Sequence, residues 1–231
     1  MFHALSRRAF AAVLLSWPIA LAATAARAQA EQQALVDRAT LTVNELLGGQ
    51  HGEDSRRVLR RSRAVLIFPR VFRGGFIIGG EGGSGVLVAR DAGGSWSAPA
   101  FYGLGGASLG LQIGIQDAQV IIFIMSDRAL RAVLQSQFKF GADASLAVAT
   151  IGAGIAGGTT AALNADFVSM SRARGLYAGI SLEGSILARR NEDNEAYYGR
   201  PVSAEQIVVT MEVHNPGADN LRAALIRWST E

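Results

Sequence analysis

Residues 74–114 hold 14 of the chain's 27 glycines, and no other stretch limits the fold as strongly. Short apolar runs punctuate the glycines, and the stretch ends in strict apolar alternation. Flexible linkers are Gly/Ser-rich without such runs, and the glycine loops of enzymes come singly. The pattern predicts closely spaced strands whose backbones turn sharply and approach one another.

Two enzyme signatures lie inside this stretch, and both fail because strands come after them where helices are required. Gly80-Glu-Gly-Gly-Ser-Gly85 satisfies G-x-G-x-x-G, but a dinucleotide site needs a helix next, and Val86-Leu-Val-Ala-Arg90 reads as a strand. Gly106-Ala-Ser108-Leu-Gly110 fits a nucleophile elbow, with His214 downstream. An elbow also needs a helix, and the alternation after Ser108 is that of a strand. A third match, Gly152-Ala-Gly-Ile-Ala-Gly157, precedes a segment too short for the required helix, and Asp166 sits where a strand begins rather than ends. No catalytic residue is assigned; a serine esterase built on Ser108 is the remote alternative.

The first 28 residues read as a cleaved export signal. Arg7 and Arg8 form a basic start, an apolar run interrupted by Pro18 comes next, and Ala26-Arg27-Ala28 or Ala28-Gln29-Ala30 offers a cleavage site. Ser6-Arg7-Arg8-Ala9-Phe10 fits a twin-arginine signal, and a plain secretory signal fits equally. The chain has no cysteine, so the reading excludes a lipoprotein and places the chain in the periplasm, or peripherally on the envelope. The formal charge of +3 is carried by Arg7, Arg8 and Arg27, so the 19 remaining basic residues balance 19 acidic ones. A neutral domain does not point to nucleic acid. Without cysteine it has neither disulfides nor thiolate chemistry. Residues 31–231 are long enough for one core, and a single domain is expected.

Residues 31–47 predict a helix, with Leu35, Val36, Ala39, Val43, Leu46 and Leu47 on one face and Gly48-Gly49 ending it. Its polar face mixes Asp37, Arg38, Asn44 and Glu45, which favours docking on the domain over lying on a membrane. A second helix is expected from an Asp54 or Ser55 cap to Arg63. Strands are predicted at 64–68, 75–79, 85–90, 107–116, 119–125, 144–151, 166–171 and 177–187, with turns at 91–94 and 116–119. Helices are predicted at 127–138, 191–198 (short) and 218–228. Strands outnumber helices without alternating with them. The fold class expected is therefore α+β: a mainly antiparallel sheet or flattened barrel with an N-terminal helix pair, a mid-chain helix and a C-terminal helix.

Charge concentrates in one place. Arg56, Arg57, Arg60, Arg61, Arg63, Arg70 and Arg73 occur with no acid between Ser55 and Gly80. One reading is a solvated face that pairs with acids elsewhere in the fold. The other is a patch for phosphate-bearing head groups, which guanidinium forks suit. Val71, Phe72 and Phe76 lie among these arginines, as core residues or as membrane contacts. No metal site is expected: only His51 and His214 remain after the leader, and Asn191-Glu-Asp-Asn-Glu195 lacks EF-hand spacing. No cofactor is implied.

An ordered series of blocks resembles the SYLF-domain family. It comprises Phe68-Pro69, Gly74-Gly75-Phe76, Gly79-Gly80, Gly85-Val86-Leu87-Val88-Ala89-Arg90, Trp96-Ser97-x-Pro99-x-Phe101 and Gly106-x-Ser108-x-Gly110-x-Gln112-x-Gly114. Phe140-Gly141-Ala142-Asp143-Ala144, Ser171-Arg172-x-x-Gly175-Leu176-Tyr177-x-Gly179, Leu182-Glu183-Gly184 and Tyr197-Tyr198-Gly199 continue the series. The resemblance covers residues 36–199. It implies a non-enzymatic lipid-binding module that recognises phosphoinositides and other anionic phospholipids, with actin binding in fungal members. It also implies membrane contact through an N-terminal amphipathic segment and basic residues. Ala149-Thr-Ile-Gly152 departs from a Gly-Pro-containing segment of the family, and residues 31–47 are not basic. With the leader, the expectation is an exported bacterial-type member whose lipid phosphates meet the seven arginines. The alternative is an envelope scaffold that binds a protein partner through a sheet face or edge.

Overall fold

The computed structural model describes residues 7–49, 52–75, 78–109, 114–135, 137–141, 148–151, 165–174 and 184–231. Its centre is a sheet of eight described strands: β1 (Ala64–Gly75), β2 (Ile78–Ala89), β3 (Ala100–Leu109), β4 (Gly114–Ile124), β5 (Gln137–Lys139), β6 (Val148–Ile151), β7 (Phe167–Arg174) and β8 (Ile186–Arg189). The order across the sheet is β5-β8-β3-β2-β1-β4-β7-β6. Every pairing is antiparallel except β6 with β7. Six helices are described: α1 (Arg7–Leu47), α2 (Gly52–Arg61), α3 (Asp127–Val133), α4 (Asn191–Tyr198), α5 (Ala204–Val208) and α6 (Asp219–Thr230). The α+β class and its mainly antiparallel sheet are those expected.

Both faces of the sheet are buried at its upper end. Because alternate residues of a strand point to opposite faces, Ala64, Leu66 and Phe68 enter one core with Tyr102, Val120 and Ile122, covered by α3 and α5. Val65 and Ile67 enter a second core with Val86, Val88, Phe101 and Phe123. Helices α1, α2, α4 and α6 close that second core, and the Leu35, Val36, Ala39, Val43, Leu46 and Leu47 stripe of α1 is its largest helical contribution. This is the docking predicted from the mixed polar face of α1. The helix itself extends back from Glu31 to Arg7.

The decisive local feature is Pro69 in the middle of β1. Proline has no N–H to give the ladder and is tolerated inside a sheet only at a bulge. Here the registers on both sides slip by one residue: Ile67 pairs with Val86 but Arg70 with Ser84, and Phe68 with Val120 but Val71 with Ala118. The strand therefore does not stop at Phe68. It continues to Gly75 with its alternation reversed, so that Val71 joins the first core at 0% exposure and Arg70 and Phe72 turn to the helix-covered face. Gly85 and Gly83 of β2 make room for the bulge. A Cβ on Gly85 would lie 2.5 Å from the Ile67 carbonyl oxygen and from the Phe68 ring, and one on Gly83 would lie 2.6 Å from the Arg70 carbonyl oxygen.

Other boundaries move for equally local reasons. The second helix begins at Gly52, ahead of the expected cap, and ends at Arg61 rather than Arg63. The 116–119 turn is absent, because Asp117 to Gln119 lie inside β4, where Asp117 and Ala118 are paired on both sides and Gln119 with β7. Of the strand predicted at 107–116, residues 107–109 end β3, 114–116 begin β4, and 110–113 lie outside the described residues. The mid-chain helix keeps its Ser126 cap, whose side chain accepts from the Ala129 N–H, but stops at Val133, leaving Gln137–Lys139 to pair as β5. The 91–94 turn is present, with Gly94 at φ 90°. Helix α5 adds to the expected elements, and Ser203 and Gln206 form a reciprocal capping box at its start.

Candidate functional site

The seven arginines do not form one patch. Arg56, Arg57, Arg60 and Arg61 belong to α2, whereas Arg70 and Arg73 lie beyond the bulge. At about 3.3 Å per strand residue, Arg73 stands roughly 30 Å along β1 from Ala64. Most of the charges are matched inside the fold. Arg57 pairs with Asp54 at 3.1 Å and lies 4.0 Å from Glu53. Arg63 pairs with Asp127 and Arg70 with Asp117, each at 2.8 Å. Arg56 donates to the Leu47 carbonyl at 2.7 Å and lies over the Trp228 ring, which Arg227 covers at 4.4 Å. Arg60 and Arg61 are exposed at the last turn of α2 and make no ion pair among the described residues.

Arg73 is the clearest correction. The bulge points it to the core side of the sheet, where its Nε donates to Glu81 at 2.9 Å and its Nη2 makes a second bond to the same oxygen. The Glu81 side chain is 4% exposed and that of Arg73 is 15% exposed, so this guanidinium is not presented to a ligand. Ser185, just before β8, donates to the other Glu81 oxygen. To reach it, the Glu81 side chain passes over β3 at Gly106, where an added Cβ would lie 2.9 Å from its Oε1. The row Arg73–Glu81–Ser185 thus ties β1 and β2, across β3, to the residue that precedes β8. Nothing in the sequence singled out Glu81, because its neighbours in the chain are all glycine or serine.

The proposed membrane contacts separate in the same way. Val71 is buried and is removed from the set, because the bulge carries it into the core. Phe72 is 44% exposed. Phe76 lies outside the described residues. Beside Phe72 an open groove of about 600 Å³ runs between α1 and the bulge, lined by Leu35, Arg38, Pro69, Arg70, Phe72 and Ser84, with Gly82 and Gly83 as part of its floor. Arg190 donates to Ser84 Oγ at 2.6 Å and pairs with Asp193, also at 2.6 Å. Burial pushes the Asp193 carboxyl up, and the Arg190 guanidinium opposes that shift. Arg38 was visible in the sequence only as one charge on a mixed helix face; its proximity to Arg70 is tertiary.

The remaining motifs take structural roles. The G-x-G-x-x-G match lies wholly within β2. Ser108 lies inside β3, paired with Gly79 of β2, rather than on a strand-to-helix turn. His214 is half-exposed and sits 3.8 Å from Asp219. The acidic run 191–195 is the first part of α4, where buried Asn194 accepts from the Phe101 N–H at 2.8 Å and Asp193 accepts from Gln32. The 152–157 glycines lie outside the described residues.

Known proteins match this arrangement over most of its length. The family model described as "Ysc84: Las17-binding protein actin regulator" matches residues 105–227, from the glycine-rich part of β3 through α6. Human SH3 domain-containing YSC84-like protein 1 is 34% identical over 152 residues, 65% of this chain and 44% of that protein. Its Xenopus laevis counterpart is 35% identical over 147 residues, 63% of this chain and 44% of its own. Protein YSC84 of Saccharomyces cerevisiae is 32% identical over 168 residues, 71% of this chain and 36% of its own. The chain spans less than half the length of these relatives. With more than half its residues matched, the chain belongs to the Ysc84 family, the SYLF-domain proteins.

Proposed function

We propose that the protein is a non-enzymatic module that binds anionic phospholipid surfaces through the end of α2. The observation that carries this reading is the pair Arg60 and Arg61: exposed, adjacent, at a helix C-terminus, and without ion pairs among the described residues. Guanidinium groups bind phosphate oxygens bidentately, and each one near an anionic bilayer contributes about 1 kcal/mol. The ion pairs of Arg57, Arg63 and Arg73 argue that these arginines serve the fold first.

Flotation with phosphatidylcholine vesicles, with and without phosphatidylglycerol, tests the reading. The wild-type protein is expected to prefer the anionic vesicles. Arg60→Glu with Arg61→Glu is expected to weaken that binding by about 30-fold or more, with the urea midpoint unchanged. Equal binding to both vesicle types, or no effect of the double variant, would refute it.

A second reading, a protein partner, is favoured by the family description, which names Las17-binding actin regulators. Edge pairing at β5 suits it poorly, since that strand is three residues long with exposed Gln137 and Lys139, the usual marks of a protected edge. Lipid binding driven by charge weakens steeply as salt rises, whereas strand pairing does not.

The same reading takes residues 1–28 as an export signal that delivers the domain to the cell envelope. Protein recovered from the envelope is expected to have the mass of a chain beginning at Gln29 or Glu31; recovery of the full-length mass would overturn export with cleavage.

A further inference from the structure

We infer that the groove between α1 and the bulge of β1 is a subsite for one phospholipid head group, with Phe72 at the lipid-facing rim. The inference rests on the reading of the protein as a lipid-surface binder, and gives that surface a stereospecific component that the end of α2 lacks.

Three observations converge. First, the lining among the described residues carries two arginines and no acid: Arg38 has no hydrogen-bond or ion-pair partner among the described residues, and the Arg70 side chain is 68% exposed although Asp117 holds its Nε at 2.8 Å. Ser84 adds a hydroxyl that is held in place by Arg190. Two guanidinium groups and a hydroxyl across an open space form a phosphate-binding set. Secondly, the space exists because the floor is glycine. A Cβ on Gly82 would meet only the Leu104 carbonyl oxygen, at 3.8 Å, so packing of the sheet does not require this position to be bare. Thirdly, the rim is apolar where the charge ends. The bulge turns Phe72, 44% exposed, to the same face as Arg70. A soluble phosphate ester gains nothing from this side chain. A lipid in a bilayer brings glycerol and acyl carbons to it, which commits the site to a lipid rather than a free phosphate. The volume, about 600 Å³, suits a head group and the start of its chains.

The test uses flotation of the purified protein with phosphatidylcholine vesicles, with and without phosphatidylglycerol. Arg38→Gln is expected to weaken binding to the anionic vesicles about five-fold. Gly82→Leu, which fills the floor while keeping every charge, is expected to weaken it comparably. The emission of Phe72→Trp is expected to be quenched by phospholipids brominated on their acyl chains, beyond the quenching seen in the wild-type protein. Anionic binding that is unchanged by Arg38→Gln and Gly82→Leu, with no added quenching, overturns the groove and leaves the α2 reading standing. No preference of the wild-type protein for anionic vesicles overturns both. If glycerol phosphate alone competes as well as vesicles do, with Phe72 unaffected, the lipid source is wrong.

Discussion

Gly85→Val is expected to lose at least about 3 kcal/mol of stability, and to leave little folded protein if the wild type lies near the low end of the usual range. Its Cβ would stand 2.5 Å from the Ile67 carbonyl oxygen and 2.5 Å from Cδ1 of Phe68. Neither can retreat. Ile67 is backbone in the middle of a strand paired on both sides, and Phe68 is fully buried. Overpacking of this kind forces backbone shifts, and here the shift would have to pass through the Pro69 bulge. Gly80→Ala supplies the contrast: its Cβ would meet only the Gly106 carbonyl oxygen at 3.9 Å, and a change below about 1 kcal/mol is expected. Urea unfolding of the two variants measures the difference. Similar midpoints would mean that the glycines are kept for a reason other than the close approach of β1 to β2.

The second large effect is expected at the buried ion pair. Arg73→Met removes the cationic partner and leaves Glu81, 4% exposed, with the Ser185 hydroxyl as its hydrogen-bond donor among the described side chains. Breaking a buried pair from one side costs about 3–5 kcal/mol, and the 15% exposure of Arg73 puts the expectation at the lower end. Replacing both, as Arg73→Met with Glu81→Met, is expected to recover much of that loss, because the apolar pair carries no uncompensated charge. A double-mutant cycle in urea reads the coupling directly. Additive losses would show that the two side chains act independently. Vesicle binding by Arg73→Met, measured where the variant is folded, is expected to match the wild type, since this guanidinium faces the sheet's core side.

Legibility in the sequence tracked the range of the interactions involved. The α1 stripe, the Ser126 cap and the 91–94 turn depend on neighbours a few residues apart, and all three lie where their spacing puts them. The absence of a helix after Gly80-Glu-Gly-Gly-Ser-Gly85 was equally local, and β2 runs through that motif. Missed elements depended on partners far along the chain. Three-residue β5 exists because β8 pairs with it, and Asp117 resembled a turn residue until β1 and β7 claimed its strand. Helix α5 is the exception: its Ser203–Gln206 capping box was local and readable. The candidate site divides along the same line. The cluster of arginines is visible as a run without acids, but which of them are neutralised rests on Asp117, Asp127 and Glu81, each reached only by folding.

The sequence by itself determined that the glycines of residues 78–89 and 100–109 lie in strands rather than in a cofactor loop, since apolar alternation and glycine spacing act within one or two residues. It also determined that a positive segment leads into them. Only the tertiary structure decided which side of the sheet each residue faces after Pro69. A proline cannot complete the ladder between two neighbouring strands, so the strand absorbs an extra residue there, and one extra residue reverses every side chain beyond it. That reversal buries Val71, ties Arg73 to Glu81 and turns Arg70 and Phe72 outward to the groove beside Arg38.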